Sequence, residues 1–361
     1  MLKWIQRIGI LLIGLVALAM IGYQVFKKPI SAFLFERFVE GAVLADPAAD
    51  LGDGLHVYMC GTGSPMADAN TAGACIGVLA GQKGYVFDAG SGSIRKLQRM
   101  GFPLENLEHA YITHLHSDHI DGVGELLTLA WIAGRTEPLP VSGPSGTTSF
   151  ISAMNEAYKM DQTFRIAHHG PDYLVPSGAG GAGEDILLPA GPSSRQIIAE
   201  AQDFKITAIR MSHAPVEPAF GYRIDYKDRS ISISGDTKFH EGFISASDGV
   251  DIMFHEALDP EMVGTMVTVL RDGGQERMSK ILSDTLTYHA TPEEAARAAE
   301  KANADSLVYY HIVPPVPTRG LELVFLGDAP KEFNGSIKIA SDGTLFSLPA
   351  GSNRILKEER F

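Results

Sequence analysis

The stretch "EHAYITHLHSDHIDG", residues 108–122, limits what this chain can fold into more than any other. An apolar strand, 108–113, runs directly into His114, His116, Asp118 and His119. His114 and His116 alternate on an extended segment, so both rings point the same way. Asp118 and His119 come as the chain turns, which lets them face a second ion. Imidazole and carboxylate donors in this mixture favour zinc, with Mn2+ or Fe2+ as second choices. A chain built around such a cluster has to bring more donors to the same place.

The rest of the sequence offers them. Strands are predicted at 55–60, 74–80, 84–90, 204–214, 220–226, 229–236, 250–257 and 305–312, with helices between many of them. Several of these strands end in His213, Asp236, His255 or His311. Layered α/β folds gather reactive side chains at strand ends, so the pattern predicts a single α/β domain over residues 51–350, with a tail at 351–361. "TPEEAARAAEKANA" predicts a helix over 291–304, with Thr291 as N-cap and Pro292 at its first position. Residues 168–194, rich in Gly and Pro, read as loop, and "SIKIASDGTLFSL" reads as a closing hairpin turning at "DG".

The remaining histidines have quieter readings. His168 and His169 fall in the predicted loop and suit solvent. His240 suits a loop, and His56 and His109 suit structural roles. His255 and Glu256 suit the support of a ligand or of a nearby histidine. Asp88 in "FDAG" suits a hydrogen bond to the ligand loop or a strand-end turn.

Charge bears on partners. The chain has a formal net charge of −13. Residues 1–28 hold Lys3, Arg7, Lys27, Lys28 and no acid, which leaves the remainder at −17. A body that acidic repels polyphosphate backbones, and the expectation is that nucleic acid is not a partner. The uncharged run Ile8–Phe26, 19 residues, is long enough for one membrane crossing. Residues 1–28 are thus expected to be a signal anchor or a signal peptide, with 29–50 a short amphipathic helix and linker. The body would then be exported, anchored on the periplasmic side of an inner membrane or released from it. Cys60 and Cys75, 15 residues apart, are expected to be buried free thiols.

"HLHSDH", together with "GTGSP" (61–65), "FDAG" (87–90), "GPSGT" (143–147), "SGDT" (234–237) and "HEA" (255–257), resembles the metallo-β-lactamase superfamily, and within it the ribonuclease Z and arylsulfatase-like branch. The most specific feature is "YHATPEEAARAA" followed by "YYHI", which sets His289 22 residues before His311. The resemblance implies a four-layer αββα sandwich and two zinc ions per chain. It implies that His114, His116 and His213 hold one ion, that Asp118, His119 and His311 hold the other, and that Asp236 bridges them. It further implies that Asp118 belongs to the catalytic machinery and that His289 is a proton donor and not a ligand.

Where the chain departs from the branch, the RNA-holding parts are affected. The segment after "GTGSP" is "MADANTAGAC", without the arginine usual in RNA-processing members. The 168–194 stretch carries Asp172, Glu184 and Asp185 and no Lys or Arg. Segments at about 155–200 and 258–288 read as insertions. The sequence reading is a dinuclear hydrolase of a small phosphodiester, sulfate or related ester, with a homodimer allowed for. The alternatives are a 3′-tRNA processing endoribonuclease, a lactonase or other carboxylic ester hydrolase, and a metal-binding protein without catalysis.

Overall fold

The computed structural model describes residues 2–43, 47–189, 191 and 193–361. Its chain divides into two compact units, Met1–Asp50 and Leu51–Phe361.

Among the first unit's described residues, 2–43 form one helix, α1 (Leu2–Val43), which continues through Pro29, and 47–50 form a turn. The apolar run does not stop at a cap. It passes without a break into Lys27, Lys28, Glu36, Arg37 and Glu40. Among the described residues no helix is long and apolar enough to cross a membrane. The membrane segment expected over 1–28 is corrected accordingly, and the exported, anchored placement loses its basis. The short helix expected after residue 29 is present but is the continuation of α1, which runs as far as Val43; residues 44–46 of the expected linker lie outside the described residues.

In the second unit, β1 (Gly54–Gly61), β2 (Cys75–Ala80) and β3 (Lys83–Phe87) pair antiparallel. Helix α2 (Ser93–Arg99) follows, and β4 (Leu107–Tyr111) adds to β3 in parallel. The short α3 (Ser117–Ile120) and α4 (Val123–Ile132) lead to β5 (Leu139–Gly143), and α5 (Thr147–His169) leads to β6 (Gly181–Asp185). The second sheet is built from β7 (Arg195–Ala201), β8 (Phe204–His213), β9 (Val216–Tyr226), β10 (Arg229–Ile233), β11 (Ile252–Leu258), β12 (Ser306–Val313) and β13 (Ser336–Ile339). Helix α6 (Glu241–Ala246) precedes β11; α7 (Pro260–Asp272), α8 (Glu276–Thr285) and α9 (Pro292–Lys301) precede β12. Helices α10 (Arg319–Leu326) and α11 (Ala329–Glu332) precede β13. The chain then returns to the first sheet as β14 (Thr344–Pro349), beside β1, and β15 (Leu356–Glu359).

The sheets face each other over one apolar core, with Val57, Val78 and Phe87 from the first and Phe220, Tyr222 and Phe254 from the second. Outside the second sheet, Ala295, Ala296 and Ala299 of α9 pack with Met253 and Tyr309. Outside the first, α2 lies on β1 and β2, and α4 and α5 lie on β5 and β6. Strands β11 and β12 are covered on both faces, which is why they read as continuous apolar runs.

Several expectations change. Cys60 and Cys75 form a disulfide, with Cα atoms 5.2 Å apart across β1 and β2, where free thiols were expected. The loop expected over 168–194 instead holds the end of α5 and all of β6. Only Thr147 and Ile151 of α5 are buried, so it has almost no apolar stripe to betray it. The closing hairpin is not one, because β13 and β14 belong to different sheets. Asp342 of the "DG" turn is buried. Its carboxylate accepts from the Thr62 and Ala72 backbone N–H groups at 2.8 and 2.7 Å, and Lys96 pairs with it. The expected tail contains β15.

Candidate metal centre

Each candidate ligand is delivered by the end of an element. His114 follows β4, and Asp118 and His119 lie on α3. His213 is the last residue of β8, and Asp236 stands three residues after β10. His311 sits on β12 at a β-bulge, where two of its residues oppose one of β11. Its φ is +46°, a left-handed conformation that a side-chain-bearing residue rarely adopts. Its N–H donates to Thr62 O at 2.8 Å, which holds the bend in place. A bulge re-aims a side chain, and here it brings the His311 ring 5.0 Å from that of His119.

Two glycines explain why the surrounding motifs are needed. A Cβ on Gly90 of "FDAG" would stand 2.1 Å from the Asp118 carbonyl oxygen, so the two loops can touch only without it. Gly235 of "SGDT" has φ +59° and turns the chain into Asp236.

Two groups of donors result. His114, His116, His213 and Asp236 form one and Asp118, His119 and His311 the other, with ligand atoms in each within 4.8 Å of one another. Asp236 divides its oxygens between them. Oδ2 lies 3.7 Å from His114 Nε2 and 3.8 Å from His213 Nε2, whereas Oδ1 lies 3.4 Å from His119 Nε2 and 3.5 Å from His311 Nδ1. Every sequence-predicted ligand is therefore at one centre. His116 is exposed at its rim, Asp118 is half-buried, and the others are buried.

The donors suit cations. His119 Nε2, His213 Nε2, His311 Nδ1 and Asp236 Oδ1 are buried without a hydrogen-bond partner, and such atoms are costly unless something pairs with them. Burial pushes His114 well below the usual histidine range and keeps it neutral. Burial opposes charge on Asp236, but the His311 and His119 rings outweigh it and hold the carboxyl well below its usual range. Burial also opposes charge on His119 and His311, but nearby carboxylates, Asp236 above all, outweigh it and push both upward. A metal bound by these two rings would have to displace their protons, because only a neutral imidazole and an ionised carboxylate ligate.

The rings are also steered from behind. Asp88 accepts from His119 Nδ1 at 2.8 Å and from the Thr113 N–H at 2.7 Å. His213 Nδ1 donates to Tyr288 O at 3.1 Å. Such contacts fix the tautomer and orientation of a ligating ring.

His289 stands beside the centre, its ring centroid 5.3 Å from that of His213. Its Nδ1 lies 3.2 Å from Oε1 of Glu256, a fully buried carboxylate on β11 that also accepts from the Thr237 and Ala290 N–H groups. Burial works against a charged ring here, but Glu256 outweighs it, Asp236 adds to the effect, and the pKa is raised to about 9.

The other histidines are elsewhere. His168 and His169 are exposed at the end of α5. His240 caps α6, accepting from the Phe243 N–H. His56 binds Gly52 O, and His109 pairs with Ser142 and stacks on Tyr111. His255 turns to the Glu256 carbonyl. Sequence reasoning passed over Tyr288 and Thr113, whose only signal is adjacency to His289 and His114.

Residues 84–312 match the family described as the β-lactamase superfamily domain. Ribonuclease Z of Mycobacterium avium is 31% identical over 295 residues, which cover 80% of this chain and 96% of that protein. Ribonuclease Z of Mycolicibacterium gilvum is 28% identical over 300 residues, covering 80% and 94%. Among solved structures, the metallo-β-lactamase fold protein YhfI of Bacillus subtilis superposes with a TM-score of 0.56 at 22% identity, covering 82% of this chain and all of that one. Human tRNase Z, short form, gives 0.55 at 21% identity, covering 81% and 99%; both show the fold. The expectation that nucleic acid is excluded as a partner is overturned by relatives that are ribonucleases along nearly their whole length. Net charge reports on the summed surface and not on the few side chains that meet a substrate. The chain is a metal-dependent hydrolase of phosphoric ester bonds and belongs to the β-lactamase superfamily, within the ribonuclease Z family.

Proposed function

We propose that the chain is a zinc-dependent endoribonuclease of the ribonuclease Z type, cutting a phosphodiester bond at the 3′ end of a tRNA precursor. The observation that carries this reading is the placement of His289, backed by Glu256, beside two donor groups with the Asp236 carboxylate between them. Similarity to ribonucleases Z over 96% of their length supports it.

His114, His116 and His213 would hold one ion, Asp118, His119 and His311 the other, and Asp236 would serve both. When bound, such ions supply Lewis-acid chemistry, the acidification of water and the neutralisation of phosphate charge. Zinc suits the imidazole-rich donors, and manganese or iron would accept the same set. The chain's own residues do the rest. Glu256 keeps a proton on the His289 ring and fixes its plane, which leaves Nε2 as the nitrogen that hands a proton to the leaving oxygen. Asp88 and the Tyr288 carbonyl hold the His119 and His213 rings in place, so little reorganisation accompanies reaction.

The test is incubation of the purified, zinc-loaded chain with precursor tRNA bearing a 3′ trailer. Chelator-sensitive cleavage at the end of the mature sequence is expected. Turnover of simple aryl phosphodiesters with no RNA cleavage at any salt concentration would reject the ribonuclease reading.

A further inference from the structure

Two cavities open beside the metal centre, and they share His116 and Tyr288 as a common wall. The first, about 280 Å³, is bounded by Asp118, Asp236 and His289, so it holds the chemistry. The second, about 430 Å³, lies over Ala214, Pro215 and Val216, with Ile281 of α8 on its outer side. It contains no acidic member of the donor groups, and its volume falls in the roughly 300–1,000 Å³ range of small-molecule sites. The acid on its wall, Asp284, is already paired with Lys280 at 2.6 Å and so does not face a phosphate uncompensated.

Tyr288 divides the two. Its carbonyl is held by His213 Nδ1, and its ring stands edge-on to His213 at 84°, centroid to centroid 5.1 Å, and 4.8 Å from the His289 ring. Its half-buried side chain makes no hydrogen bond among the described residues.

A phosphodiester has two arms. Water adds to phosphorus, the P–O bond to one arm breaks, and that oxygen takes a proton from His289, a loss that the water's own protons make good. The arm that leaves must lie on the His289 side, in the first cavity. The arm that keeps the phosphate must extend the other way. We propose that the second cavity is a nucleoside subsite that receives the base of the nucleotide retaining the phosphate, stacked on the Tyr288 ring against Pro215 and Ile281. This rests on the ribonuclease reading above.

The experiment crosses protein and substrate changes. Wild type, Tyr288→Leu and Tyr288→Trp, each zinc-loaded and assayed for metal content, are given a short RNA substrate. One version is natural, one is abasic at the nucleotide that product analysis shows to keep the phosphate, and one is abasic at the leaving nucleotide. In wild type, removing the base on the phosphate-keeping arm should lower kcat/KM by about 5- to 150-fold. In Tyr288→Leu the same removal should matter by no more than about twofold, and Tyr288→Trp should restore the sensitivity. Should Tyr288→Leu lose zinc, Ile281→Trp, which narrows the cavity from α8, is read instead. It should slow the natural RNA and leave the phosphate-arm abasic RNA within about twofold. Equal sensitivity in wild type and Tyr288→Leu, or sensitivity confined to the leaving nucleotide, overturns the subsite while leaving the ribonuclease reading intact. Failure of wild type to cut any RNA overturns both.

Discussion

At the scale of single residues, His289 is the sharpest point of difference between ligand and proton donor. With the donor groups complete without it, His289→Ala should keep the full metal content and lower the rate on esters with basic leaving groups by about 10²–10⁴-fold. Nitrophenyl esters, whose leaving groups need little protonation, should lose far less. Loss of one metal equivalent, measured on the purified variant, would instead make it a ligand. The residue-scale chemistry was the part most open to a reader of the sequence. "HLHSDH" is local, and His213, Asp236 and His311 each close an apolar strand. The bend that aims His311 was hidden, because a left-handed φ at histidine leaves no mark in the residue type. Tyr288 was hidden too, since a lone tyrosine beside a motif looks like any other.

At the scale of elements, α9 was read from its capping signals, and Thr291 and Glu294 do form the reciprocal box. That box sets the backbone two residues after His289. Thr291→Ala should cost about 0.5–2 kcal/mol of stability by denaturant titration. It should also lower activity with metal content unchanged; full activity would mean that Glu256 alone positions the ring. Strands with apolar periodicity were legible for the same reason that α9 was, since local chemistry agreed with the fold. Helix α5 was not, because 23 residues with two buried side chains carry no periodic signal. Strands β13 and β14 were misread as partners because a "DG" turn between two strands is the usual hairpin signature. The Asp342 side chain is occupied with Thr62 and Ala72, residues roughly 270–280 positions away, and no local rule could expose that.

At the scale of the whole molecule, the donors tie both sheets together. His114, Asp118 and His119 follow the first sheet, and His213, Asp236 and His311 belong to the second. Ions held between them should stabilise the folded state by about 2.7 kcal/mol for each site at a free ion concentration 100 times its Kd. Chelation should therefore lower the Tm, re-addition of zinc should restore it, and metal analysis should find two equivalents per chain. An unchanged Tm after complete removal would show that the sheets are held without them. The sheet arrangement has another consequence, for synthesis. Strand β1 lies between β2 and β14, although some 280 residues separate β1 from β14 in the chain. While a ribosome is still making the second sheet, β1 presents an unpaired edge next to the loop that will later hold His311. That edge is a ready template for another chain. Nascent molecules stalled before residue 344 are thus the form most exposed to aggregation, and the hydrolase acquires its complete first sheet only when its last strands arrive.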